Sequence, residues 1–156
     1  MSRILIIGYG SPMRSDDGLG SCAAEQLSRT LGSRDIEVLA CHQLTPELAG
    51  ALSQAAAVIF IDASREGEPG ELSCVPVTPQ ASGTSFSHDL SPAAALALSQ
   101  LLFRTSPRAF LVTLCGKNFD HGETLSAPVA SGMPRLMTLV EELVVQLRME
   151  ELVRSR

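Results

Sequence analysis

The chain has 156 residues, with 12 basic and 17 acidic side chains, a net charge of −5, 45% hydrophobic residues, no Trp and one Tyr. That length suits one domain, 1–156, whose core must be built from Leu, Ile, Val and Ala rather than aromatics. The acidic balance and the lack of a basic run argue against nucleic acid as a partner. No spanning segment, signal peptide or transit peptide stands out, so a soluble, cytoplasmic protein without a membrane partner is expected.

The first element is the run Ile4 to Ile7, four apolar residues that suit a strand covered on both faces. Gly8-Tyr9-Gly10 follows as a tight turn, and Asp16 and Asp17 then open a helix over Leu19, Cys22, Ala23, Leu27 and Leu31, stopped by Gly32. Ile36 to Cys41 reads as a second strand. Thr45-Pro46-Glu47 is expected to open a short helix, with Thr45 as its N-cap. Ala56 to Ile61 is a third strand that ends at Asp62, Arg65 to Gly70 a polar loop, and Leu72 to Val77 a fourth strand. A Ser- and Thr-rich loop over 78–87 leads to His88, which is expected to begin the helix Leu90 to Phe103 with Pro92 in its first turn. Ala109 to Cys115 is a fifth strand, 116–132 a loop, and a last amphipathic helix starts near Pro134. Strands alternating with helices point to a three-layer α/β fold.

In open parallel sheets, ligands bind outside the carboxyl ends of the strands. Asp17 after the first strand, Asp62 after the third and His88 before a helix all fall at such positions. Two carboxylates and one imidazole make a hard-to-borderline metal site with positions left open. Each residue also has a plainer reading. Asp16 or Asp17 can cap the helix, Asp62 can serve a turn, and His88 can be a solvated helix-end histidine.

Other chemistries fit less well. A dinucleotide fingerprint needs a third glycine where Met13 stands, and no acid follows the second strand. No Gly-x-Ser-x-Gly elbow is present. Cys115 with His121 is a conceivable nucleophile pair, but Asp120-His121-Gly122-Glu123 reads as an exposed loop. The four cysteines form no Cys-x-x-Cys motif, and Cys41 and Cys115 read as buried free thiols.

The opening Ile4-Leu-Ile-Ile-Gly-Tyr-Gly-Ser-Pro-Met-Arg-Ser-Asp-Asp-Gly-Leu-Gly20 resembles the first motif of the hydrogenase maturation proteases, with matches at Gly8, Gly10, Asp16, Asp17, Gly18 and Gly20. Ile61-Asp62-Ala63 and Ser87-His88-Asp89-Leu90 resemble the family's second and third motifs, in the same order. Ser11 stands where the family usually has Asn, and Met13 where it often has Leu. The resemblance implies a twisted, mostly parallel five-stranded sheet between helices. It implies a nickel-dependent processing endopeptidase that removes the C-terminal extension of a nickel–iron hydrogenase large-subunit precursor. Asp17, Asp62 and His88 would contact nickel that belongs to the precursor rather than to the protease. Asp16 would support that site or cap the helix. A metallohydrolase of another peptide or amide, or a nickel-sensing binding module or chaperone, would use the same residues. An acidic chain with a large protein substrate can work as a monomer.

Overall fold

The computed structural model describes residues 3–81 and 90–154. Five strands, β1 (Ile4–Tyr9), β2 (Ile36–Cys41), β3 (Ala57–Ser64), β4 (Leu72–Val77) and β5 (Arg108–Cys115), form one sheet in the order β2-β1-β3-β5-β4. All neighbours are parallel except β4, which runs antiparallel to β5 at the edge. The four helices are α1 (Leu19–Leu31), α2 (Leu48–Gln54), α3 (Pro92–Phe103) and α4 (Ala127–Arg154). The sheet is thus mostly parallel and flanked by helices, as the sequence leads one to expect.

The apolar runs explain the central strands. Residues Ile4 to Ile7 and Val58 to Ile61 are all buried, because alternate side chains enter opposite layers. Ile4, Ile6, Ile59 and Ile61 pack with α1 and α4. Leu5, Ile7, Val58 and Phe60 pack on the other side with residues of α2 and α3. Fully burying each such side chain is worth about 1.5–3 kcal/mol before ordering costs. Edge strand β4 is mostly exposed and carries Pro76, which suits an edge that must not recruit another strand.

Five boundaries differ from the sequence reading. β1 runs on through Gly8 and Tyr9, which pair with Ala40 and Cys41 instead of turning. Thr45 does not cap α2: residues 46–47 form a turn, Glu47 is the N-cap, and the Thr45 carbonyl accepts from Leu48 N. β3 runs on to Ser64, paired with β5 as far as Cys115, so Asp62 lies within the strand. α3 starts at Pro92 rather than Leu90, with the Ser91 hydroxyl accepting from Ala94 N. α4 starts at Ala127 and contains Pro134. There the buried stripe Val129, Met133, Leu136 and Val140 outweighs the lost proline hydrogen bond. Among the described residues, no helix is long and apolar enough to cross a membrane.

Candidate active site

The glycines of the first motif set how closely the chain can fold back on its own strand. A Cβ on Gly8 would stand 2.0 Å from the Gly20 carbonyl oxygen, and one on Gly20 would stand 2.4 Å from the Tyr9 oxygen and 2.5 Å from that of Ile61. Two bare backbones therefore touch, and the start of α1 rests directly on the ends of β1 and β3. Gly10 has φ +131°, and a Cβ there would meet the Asp17 carbonyl at 1.9 Å. The segment between turns as a short 3₁₀ helix over Ser15–Gly18, which delivers both aspartates before α1 begins.

The two aspartates then diverge. Asp16 is fully buried. Its Oδ2 accepts from Lys117 N at 2.8 Å, Asn118 N at 2.9 Å and the Ser126 hydroxyl at 2.7 Å, and its Oδ1 accepts from Ser126 N at 2.7 Å. Burial pushes this carboxyl up, but the bonds from Asn118, Ser126 and Lys117 outweigh it and hold the carboxyl below its usual range. Asp16 caps no helix; it fastens the β5–α4 loop. Ser15, at φ +52°, adds its own N–H to Gly122 O and its hydroxyl to Asp120 O, and Gly122 N returns a bond to Met13 O. The loop that reads as exposed and polar is thus pinned through its backbone, while Asp120, His121 and Glu123 do project to solvent.

Asp17 is only part-buried, and its Oδ2 accepts from Ser11 N at 2.8 Å. It too makes no helix-capping hydrogen bond. The hydroxyl of Ser11 accepts from Met13 N at 3.3 Å, so the shorter side chain still braces the turn. Asp62 lies one residue beyond the last β1–β3 register pair, Gly8–Ile61, where β3 continues paired with β5 alone. Desolvation pushes its carboxyl up to about 6; the Ala63 N–H at 2.8 Å and the Tyr9 hydroxyl pull it down, and the Asp17 charge pushes it up further. Tyr9 is raised in turn by burial and by the Asp62 charge beside it. The structure therefore brings Asp17 and Asp62 within electrostatic reach and adds Tyr9 as a partner that the sequence reading did not single out. The available signal is its position between two glycines at the close of the apolar run, where it ends β1.

The third expected member, His88, lies outside the described residues. Among the described residues, no group of three His, Cys, Asp or Glu side chains is placed to hold a metal ion. The donor chemistry of the pair still suits a cation, because a positive charge between Asp17 and Asp62 would replace repulsion with attraction and displace the proton from Asp62. The nucleophile alternative gains nothing. Cys115 is buried, its thiol donates to the Gly67 and Gly116 carbonyls, and burial with the nearby Glu71 and Glu68 charges keeps it protonated. All four cysteines are free, Cys41 only part-buried and Cys74 exposed.

Several solved structures similar to this one are hydrogenase maturation proteases. The nickel–iron hydrogenase maturation protease HycI from Thermococcus kodakarensis KOD1 superposes with a TM-score of 0.74 at 24% identity, over 90% of this chain and 91% of that one. The hydrogenase maturating endopeptidase HybD from Escherichia coli gives 0.74 at 20% identity, over 95% and 93%. The nickel–iron hydrogenase maturation protease HybD from Thermococcus kodakarensis gives 0.70 at 22% identity, over 90% and 98%. The chain has the fold of the hydrogenase maturation proteases. No protein-family model and no curated protein matches the sequence.

Proposed function

We propose that this protein is an endopeptidase that removes the C-terminal extension of a nickel–iron hydrogenase large-subunit precursor after nickel insertion. The observation that carries the reading is the Asp17–Asp62 pair. The glycine contacts let the turn carrying Asp17 pack against β1 and β3, Asp17 accepts from Ser11 N, Asp62 accepts from Ala63 N, and the Asp62 carboxyl is raised to about 6. Burying a second carboxylate beside a first is unfavourable unless a cation arrives.

In this reading nickel is part of the substrate. Asp17, Asp62 and His88 supply two oxygens and one nitrogen, an incomplete set that holds free metal weakly and completes its shell with ligands of the precursor. The metal then fixes the scissile peptide against the rim, and the gain is chiefly proximity. Tyr9 donates to Asp62 and keeps its carboxylate oriented. Ser11 N–H does the same for Asp17. A precursor without nickel lacks the anchor and stays uncut. The protein acts in the cytoplasm and needs no second copy of itself.

The test is the intact mass of a candidate precursor incubated with the protein, with and without nickel loaded. Loss of a C-terminal peptide from the nickel-loaded form alone, abolished by Asp17→Asn or His88→Ala, is the expected result. Complex formation without any mass change overturns the peptidase reading in favour of a nickel-sensing module. Stoichiometric metal retained by the purified protein favours a metallohydrolase that keeps its own ion.

A further inference from the structure

Beside the carboxylate rim lies a second recess. It is a cavity of about 230 Å³ between the first turns of α1, the end of β2 and the β5–α4 loop. Ser15 and Gly18, which bracket Asp16 and Asp17 in the chain, form part of its wall. Pro12, Cys22, Cys41 and Leu125 give it soft, apolar surfaces. Glu25 from α1 and Glu123 from the loop both line it, and both are solvent-exposed. No lysine or arginine lines it, and neither glutamate takes part in an ion pair among the described residues. His42, at the rim, is its other titratable group besides the thiols.

Three features together define the occupant. The volume falls below the roughly 300–1,000 Å³ of cavities that enclose a small-molecule ligand, and suits one long side chain. The lining pairs an apolar stem region with two anionic groups, which matches a side chain with a methylene stem and a cationic head. A bare metal ion is a poorer match, because no three His, Cys, Asp or Glu groups among the described residues converge to hold one. The cavity is also preformed, since Glu123 and Leu125 belong to the loop that Asp16 fastens on both sides of them, at Asn118 and Ser126.

We propose that this cavity is a specificity subsite that takes a lysine or arginine side chain of the peptide substrate, its stem against Pro12, Cys41 and Leu125 and its cation between Glu25 and Glu123. The identity of the peptide rests on the endopeptidase reading; the cation preference of the cavity does not. The subsite anchors the chain to one side of the carboxylates, and so sets the register in which the scissile bond meets them.

Two measurements test it separately. The first uses blocked pentapeptides Ala-Ala-Xaa-Ala-Ala, with Xaa Arg, Lys, Gln, Leu or Glu, titrated into the labelled protein by NMR. The Arg and Lys peptides should shift the amides of Cys22, Glu25, Cys41, Glu123 and Leu125, the Gln, Leu and Glu peptides should not, and Glu25→Gln with Glu123→Gln should remove the shifts. Equal shifts by the Arg and Gln peptides, or none by any, would overturn the proposal. The second follows cleavage of nickel-loaded precursor. The double glutamine variant should raise KM by about three- to tenfold with little change in kcat. Changing the responsible Lys or Arg near the cut to Glu should slow cleavage, and Glu25→Lys with Glu123→Lys should restore it. An unchanged KM and no charge rescue would overturn the subsite. If the unaltered protein binds the Arg peptide yet cuts no precursor, the cation subsite stands and the endopeptidase reading falls.

Discussion

The wall at residues 116–126 and the rim at Asp17 and Asp62 are both organised by carboxylates, in opposite ways. Asp16 sits at zero exposure with four donors converging on it, so its charge is fully compensated. Asp62 is less buried; among the described residues its donors are the Ala63 N–H and the Tyr9 hydroxyl, and the Asp17 charge acts on it. The first is a structural anchor: its pKa falls although it is buried. The second goes the other way: desolvation first, and then the Asp17 charge, raise its pKa more than its two donors lower it. A single residue step in the sequence, from Asp16 to Asp17, crosses from one region to the other. The contrast shows that burial alone does not set the sign of a carboxyl's shift; the supply of donors weighed against desolvation does.

Substitution separates the two regions by sign, and the largest effect should come from Asp16. Asp16→Ala leaves three N–H groups and a hydroxyl without their acceptor and should cost about 3–5 kcal/mol in denaturant unfolding. Its folded pKa lies below the unfolded value, so its contribution is present above about pH 4 and is lost as pH falls through the depressed folded value. Gly8→Ala, which drives a Cβ into the Gly20 carbonyl, should cost about 3 kcal/mol and pull the 3₁₀ turn off the strand ends. Chemical denaturation together with the Asp62 titration would show both, since moving Asp17 away should lower the Asp62 midpoint.

Asp62 should behave in the reverse sense. Its folded pKa of about 6 exceeds the ordinary 3.8. Its contribution to stability is therefore full below the unfolded value and is lost as pH rises through about 6. Asp62→Asn should gain roughly 1–3 kcal/mol over the unaltered, metal-free protein, with the gap opening between about pH 4 and 6 and flat above. Urea unfolding across that range would check it. The smallest effect is expected from Tyr9→Phe, which removes the hydroxyl that lowers Asp62. Carboxyl NMR should find the Asp62 midpoint moved upward from about 6, with global stability changed by less than about 1.5 kcal/mol.

Much of the frame was legible because periodicity is a local signal. β2 and β4 span the residues that their apolar patterns mark, Ile36–Cys41 and Leu72–Val77. The misplaced boundaries came from local rules that tertiary packing overrode. Pro134 suggested a helix start, yet the stripe from Val129 onward needed that turn against the core. Asp62 suggested a strand end, yet the pairing with β5 carries β3 on to Ser64. For the site, Asp17 and Asp62 are visible in the sequence as acids after apolar runs, and in the structure the Asp17 charge adds to the rise of the Asp62 carboxyl. Asp16 was undecided between cap and support, because its partners lie more than 100 residues away at Lys117, Asn118 and Ser126. Tyr9 was hidden because a tyrosine after a strand is as readily a core residue. The role of His88 is carried by the motif around it alone.

The central claim is that Asp62 serves function at the expense of stability. The most direct measurement pairs the two on one sample: unfolding of metal-free Asp62→Asn at pH 7.5, and its cleavage of nickel-loaded precursor by intact mass. The account predicts a protein more stable than the original that leaves the precursor whole. A destabilised variant that still releases the C-terminal peptide would contradict it.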